Sequence, residues 1–175
     1  MNLPAWHEEP IAKSHDRRGF DCGDADLNTY LQKHARQNHE AGGSKTFCAI
    51  DDADPKRVLG FYSLAPISVG HDPLPETVTK GLPQHDVGGY LLARLATSQD
   101  LQGQGLGGQL LLAAGKRCLR VAAEAGGVFL LIDAKRERAA SWYESYGAER
   151  LKDMPLKLVI SLATIRDTLE AAGKF

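Results

Sequence analysis

Residues 101–108 read LQGQGLGG, and two phosphate-binding patterns overlap within them. Gly103, Gly105 and Gly108 spell G-x-G-x-x-G, the dinucleotide fingerprint. Gln102, Gly105 and Gly107 spell Q-x-x-G-x-G, the spacing of acetyl-coenzyme A loops. Both patterns use one chemistry. Glycines lack a Cβ, so phosphate oxygens can come close to the backbone. N–H groups converging at a helix start then hold the negative charge. Four glycines between Gly103 and Gly108 also cost chain entropy, which a turn with no ligand does not require.

The elements around the loop separate the two patterns. A dinucleotide site needs a strand running directly into the first glycine, then a helix and a second strand ending in an acid. Asp133, at the end of VFLLI, meets the last requirement. Ser98–Gln102, however, stand between the preceding strand and Gly103. Only about forty residues of the 175 follow Asp133, too few for the rest of a doubly wound domain. The acetyl-CoA reading accepts a short loop after the strand, a helix starting near Leu106, and no lysine.

A coarse reading places these elements in a mixed α/β order. Asp24 caps a helix with Leu27, Tyr30 and Leu31 on one face and Lys33 and Arg36 on another; Gly42 and Gly43 end it. Thr46–Ile50 and Val58–Leu64 form a hairpin around DDADPK. Pro66–Gln84 read as turns with a short helix near Glu76–Lys80. Gly89–Ala96, a continuous apolar run broken by Arg94, suits a doubly covered central strand. Gln109–Ala125 carries Leu110, Leu111, Ala114, Cys118, Leu119 and Val121 at helical spacing. Val128–Ile132 is a buried strand, Ala139–Tyr146 a helix stopped by Gly147, and Leu156, Leu158, Ile160 and Leu162 alternate as a last strand. A helix over Thr164–Ala172 closes the chain.

The whole-chain numbers set bounds. A length of 175 residues suits one domain with a substantial core. A net charge of −1 announces no global nucleic-acid field, although 21 Lys and Arg leave room for a local patch. Cys22, Cys48 and Cys118 lack zinc or disulfide spacing and read as buried free thiols. No metal is expected. MNLPAWHEEP has no apolar signal core, so a cytoplasmic protein is expected.

ATSQDLQGQGLGGQLL followed by SWYESYGAERL resembles the GNAT acetyltransferase fold over nearly the whole chain. The resemblance implies one GNAT domain with a mostly antiparallel central sheet, splayed strands and flanking helices. It implies that the backbone of Leu95, Ala96 and Thr97 pairs with the pantetheine arm. Gln102, Gly103, Gln104, Gly105, Leu106, Gly107 and Gly108 would then hold the pyrophosphate, with Asp133, Ala139 and Tyr146 also at the cofactor. A closer match links FDCG, LNxYL, Ala35, Asn38, GSKTF, LARLA and MPLKLVISLATI to GNAT-type toxins of bacterial type II toxin–antitoxin pairs. Those toxins acetylate the α-amine of aminoacyl-tRNA and are held by ribbon-helix-helix antitoxins. Arg136 departs from the Asn common in GNAT enzymes, and HDVGG departs from an apolar approach to the central strand.

The implied chemistry needs a neutral amine, a polarised thioester carbonyl and a stabilised thiolate. The resemblance puts Tyr143 beside the sulfur; a neutral phenol, pKa ~10, can hydrogen-bond a thiolate of pKa ~8.5 and protonate it. Tyr143 and Tyr146 read alternatively as core aromatics. No carboxylate stands out as a base. An esterified α-amine should ionise below the ordinary ~7.7–8.0, so it needs one less than a lysine does. Arg94, then Lys33, Arg36 and Lys45, are the candidates for tRNA phosphates; Lys33 and Arg36 read alternatively as a solvated helix face. His34 and His39 read as surface residues. Two other functions stay open: a GNAT enzyme for a small amine or protein N-terminus, and a non-catalytic acetyl-CoA-binding module. Basic residues on so small a domain also suit a homodimer sharing one tRNA.

Overall fold

A computed structural model describes residues 2–174. Seven strands are hydrogen-bonded in the order β1-β2-β3-β4-β5-β7-β6. They are β1 (Trp6–Pro10), β2 (Lys45–Asp51), β3 (Val58–Val69), β4 (Val87–Thr97), β5 (Phe129–Asp133), β6 (Glu149–Leu151) and β7 (Met154–Ser161). β4 and β5 run parallel, whereas β1–β2, β2–β3, β5–β7 and β6–β7 are antiparallel. Backbone contacts divide the chain into two compact units.

The first unit takes the residues up to Ala65 with Ala93–Leu111. Asp24 caps α1 (Ala25–Thr29), its carboxylate accepting from the N–H groups of Asp26 and Leu27 at 3.0 and 3.2 Å. Such a cap contributes about 1 kcal/mol. The single regular helix expected here is interrupted. Tyr30–His34 form a π-helical turn in which the Ala35 N–H reaches back to the Tyr30 carbonyl, and α2 (Ala35–Ala41) follows to Gly42. One extra residue in a turn re-aims the side chains after it. Tyr30, Leu31 and Ala35 pack with Phe20, Cys48, Ile50, Phe61 and Ala96. β1 escapes a sequence reading because it is a short, charged edge strand ending in proline. β3 runs on through Pro66 to Val69, past the expected end at Leu64. Ile67 and Val69 turn inward while Pro66 and Ser68 face solvent, the outward position where proline is tolerated.

The second unit takes Pro66–Leu92 with the residues from Leu112 onward. Leu74, Val78, Val87, Phe129, Leu131, Leu151 and Val159 form its core. α3 (Glu76–Thr79) falls where expected. β4 is less covered than its apolar letters suggest: burial alternates irregularly along it, and Arg94 is exposed. α4 (Leu106–Ala125) buries Leu110, Leu111, Ala114, Cys118 and Leu119, but Val121, read as part of the same stripe, is 46% exposed. β7 differs from the alternating strand expected. Leu158–Ser161 are buried without a break, Leu156 is 36% exposed, and Leu162 begins α6 (Leu162–Ala171). Ser161 caps α6 by accepting from the Thr164 N–H at 3.0 Å. α5 (Glu137–Glu144) matches the expected helix in length, but it starts two residues before Ala139 and ends two before Tyr146. All three cysteines are buried. No described helix is long and apolar enough to cross a membrane, and the described residues contain no cluster of metal-ligating side chains.

Candidate active site

Gly103 and Gly105 adopt φ of +81° and +90°, the left-handed region that side chains rarely enter. A Cβ at either position would meet nothing within 4 Å, so the glycines answer to backbone conformation and not to crowding. Left-handed glycines on both sides of Gln104 follow the alternating backbone pattern from which anion nests are built. α4 begins at the next residue. Its first turn carries no acid, and its leading N–H groups have no intrahelical acceptor. Gln102, Gly103 and Gly105 are exposed. This stretch therefore fits a pyrophosphate such as that of acetyl-CoA.

The side chains flanking the nest hold it in place. Gln102 donates from Nε2 to the Cys22 carbonyl at 2.9 Å and the Thr97 carbonyl at 3.3 Å, so its side chain is a tether, and its backbone N–H donates to the Gln99 carbonyl at 3.5 Å. Trp6, on the strand the sequence did not reveal, donates from Nε1 to Gln109 Oε1 at 3.0 Å. The Gln109 N–H in turn donates to the Gly105 carbonyl at 3.2 Å. Gln104 Oε1 is buried without a hydrogen-bond partner.

Leu95, Ala96 and Thr97 close β4, and the Ser98 N–H donates to the Leu59 carbonyl at 2.8 Å. A Cβ on Gly60 would stand 2.8 Å from the Ala96 carbonyl oxygen and 2.9 Å from Leu110 Cδ1. Bare backbone at Gly60 thus keeps the Ala96 carbonyl where it is.

In the second unit, Tyr143 sits on α5 with Trp142 at 4.9 Å in an edge contact; Trp142 also packs on Tyr146 at 4.9 Å. Tyr143 is half-buried, and burial alone pushes its phenol up to about 12. The hydroxyl therefore keeps its proton throughout the useful pH range and serves as a donor. Tyr146 is 36% exposed, which removes the reading of it as a core aromatic. Asp133 is exposed and pairs in register with Lys157, Ala139 is half-buried on α5, and Arg136 stands exposed before the helix.

Arg150 is a residue the sequence reading missed. From β6 it donates to both carboxylate oxygens of Glu137 at 2.6 and 2.8 Å and to Glu144 at 2.8 Å, tying together the two ends of the helix that carries Tyr143. These bonds to Arg150 hold the Glu137 carboxyl below its ordinary range. The partners of Arg150 lie 13 and 6 residues earlier on α5, separations that carry no signal in the sequence.

The four basic candidates behave differently. Arg94 is exposed, with its guanidinium carbon 4.6 Å from the centre of the Tyr30 ring. Lys33 is exposed on the π turn. Arg36 pairs with Glu40 at 2.7 Å, and Lys45 donates to the His39 carbonyl at 2.8 Å. His39 is no free surface residue: its Nδ1 accepts from the Thr46 N–H at 2.9 Å.

A family profile described as Acetyltransferase (GNAT) domain matches residues 42–147. A tRNA-acetylating toxin of Mycobacterium tuberculosis (strain ATCC 25618 / H37Rv) is 36% identical over 156 residues, 89% of this chain and 92% of that protein. Among solved structures, AtaT complexed with acetyl-methionyl-tRNAfMet superposes with a TM-score of 0.87 at 25% identity, covering 94% of this chain and 99% of that one. AtaTR bound with AcCoA gives 0.81 at 25% identity, covering 94% and 98%. The profile spans more than half of the sequence and the curated relative nearly all of it; the chain belongs to the GNAT acetyltransferase family.

Proposed function

We propose that this chain moves the acetyl group of acetyl-CoA to the α-amino group of aminoacyl-tRNA and thereby blocks translation as the toxin of a toxin–antitoxin pair. One observation carries the choice of acceptor: the N-terminal half that sequence reading tied to tRNA-acetylating toxins lies within an alignment, 36% identical, to a toxin of that name.

Acetyl-CoA supplies an activated acetyl group whose carbon–sulfur bond breaks as the new amide forms. The chain's residues do the rest. The nest from Gln102 to Gly108 holds the pyrophosphate through backbone N–H groups, and the Leu95–Thr97 backbone pairs with the pantetheine. A backbone N–H near Leu95 or Thr97 polarises the thioester carbonyl. Asp133, Ala139 and Tyr146 flank the cofactor. The attacking amine releases its proton to solvent as the amide forms, while Tyr143 donates its hydroxyl proton to the departing sulfur and regains one from solvent. The amine needs no strong base, because esterification lowers its pKa. Arg94 leads the tRNA phosphate contacts and Lys33 follows. Arg36 and Lys45 join them only by giving up Glu40 and His39.

In this reading residues 1–175 act as one domain in the cytoplasm. The partner is a ribbon-helix-helix antitoxin, and two copies share one tRNA. The deciding experiment is cell-free translation with and without acetyl-CoA, followed by mass analysis of the charged tRNAs. Translation arrest with an acetyl group on the aminoacyl moiety is expected. Normal translation with unmodified aminoacyl-tRNA would overturn the reading.

A further inference from the structure

We infer that Tyr30 is a positioning residue for tRNA recognition: its ring clamps the Arg94 guanidinium so that the planar fork is aimed before a phosphate arrives. The inference rests on Arg94 being a phosphate contact.

The Tyr30 ring is fixed on three sides. One face stacks on Phe61, with centroids 6.3 Å apart and planes 18° from parallel. Phe61 is itself held by the edge of Phe20 at 5.6 Å. The hydroxyl bonds Ser44 Oγ at 3.2 Å, beside the buried Thr46–Ser63 hydroxyl pair, whose oxygens are 2.6 Å apart. The backbone is set by the π turn that begins at Tyr30. The ring is 8% exposed, yet Arg94 rests 4.6 Å from its centre and is exposed. A guanidinium over an aromatic face is held by the ring quadrupole without losing its in-plane donors. Nη1 spends one donor on the Ala93 carbonyl at 2.8 Å, out of the five that a guanidinium carries. An unrestrained arginine must give up its rotamer freedom when it binds, and a pre-ordered one has already done so. A π turn inside a short helix with neither Gly nor Pro has no local sequence cause; placing Tyr30 under Arg94 gives it a function.

The test measures acetylation of total aminoacylated tRNA at saturating acetyl-CoA, as a function of tRNA and salt. Arg94→Ala should raise the half-saturating tRNA concentration about tenfold and lower the salt slope by about one. Tyr30→Leu should raise it about fivefold, the size of an exposed cation–π contact. The effect should fall on half-saturation by tRNA and not on half-saturation by acetyl-CoA. Tyr30→Phe keeps the ring and should recover most of the loss. Arg94→Lys keeps the charge without the stacking plane and should behave like Tyr30→Leu, which covers the case where Tyr30→Leu fails to fold. Tyr30→Leu added to Arg94→Ala should cost nothing more. If Arg94→Ala changes neither half-saturation nor slope, the phosphate reading of Arg94 falls and the clamp with it. If Arg94→Ala acts as expected but the two losses multiply, or Tyr30→Phe is as poor as Tyr30→Leu, Arg94 stays in the tRNA contact and the clamp is overturned.

Discussion

Tyr30 and Tyr143 are the same side chain in opposite settings. Burial pushes the Tyr30 phenol up, but hydrogen bonds with Ser44, Ser63, Asn38 and Thr46 outweigh it and hold the pKa below the ordinary value. Tyr143 meets burial alone and is pushed up to about 12. Tyr30 is locked at its hydroxyl, backed by Phe61, and presents a ring face to Arg94. Tyr143 packs against the Trp142 ring with its proton firmly attached. Neighbours of the hydroxyl, not residue type, decide whether a tyrosine is locked as a platform or keeps its proton as a hydrogen-bond donor.

The largest effect should separate the two. Tyr143→Phe should lower acetyl transfer by about 10²–10⁴-fold, the range for losing a general acid, with acetyl-CoA affinity by calorimetry within a factor of two. Tyr30→Phe should cost less than tenfold in the same assay. The pH dependence sharpens this. A phenol at about 12 stays protonated as pH rises, so the wild-type rate should climb with the amine's ionisation and then stay flat through pH 10. An alkaline loss centred on the ordinary phenol value would show Tyr143 to be no different from a solvated tyrosine and would break the comparison.

The left-handed glycine loop was legible because glycines at set spacing fix it, and the helix that carries Tyr143 was legible to within two residues from its apolar spacing. The helix cap at Asp24 and the buried thiols were legible for the same reason. The clamps were not. Arg94 on Tyr30, Gln102 on Cys22, Trp6 on Gln109 and Arg150 on Glu137 join positions whose separation in sequence carries no signal. Strand errors had a local cause. β1 is charged and β3 contains Pro66, both permitted only where one side faces solvent. β7 loses its alternation where both faces are covered.

Next in size is the cofactor nest on the Tyr30 side of the comparison. Gly105→Ala forces a side chain into φ of +90°, a strain of about 1–3 kcal/mol. The expected result is acetyl-CoA affinity about tenfold weaker by calorimetry, with Tyr143 chemistry intact at saturation. Unchanged affinity would show that the left-handed glycines do not bind the pyrophosphate. Arg150→Ala addresses the other side. It should lower turnover about tenfold by loosening the helix under Tyr143 while leaving acetyl-CoA affinity alone. The Glu137 carboxyl is depressed, so this tie holds above the ordinary glutamate value and is lost as pH falls through the lower folded one. Turnover unchanged in Arg150→Ala would mean that α5 holds Tyr143 without help.

The smallest effect concerns the edge strand that supports the nest. His7 Nδ1 lies 2.6 Å from Asp52 Oδ1, its Nε2 bonds Glu9, and Glu9 also takes the buried His15 at 3.0 Å. The bonds to Asp52 and then Glu9 raise the His7 pKa, and the bonds from His15 and then His7 lower that of Glu9. The signs differ. A raised His7 contributes stability fully below the ordinary histidine value, lost as pH rises through the folded one. A lowered Glu9 contributes above the ordinary glutamate value, lost as pH falls through the folded one. β1 should therefore be held best between about 4.5 and 6.5, the two ordinary values. Amide exchange along Trp6–Pro10, corrected for its intrinsic pH dependence, should be slowest in that window and faster on both sides. His7→Gln should abolish the alkaline rise while leaving the acid one. Because Trp6 holds Gln109, a loosened β1 should also weaken acetyl-CoA binding slightly above neutral pH, without touching Tyr143. Exchange that does not change with pH would detach the edge strand from the nest and leave Trp6 as packing alone.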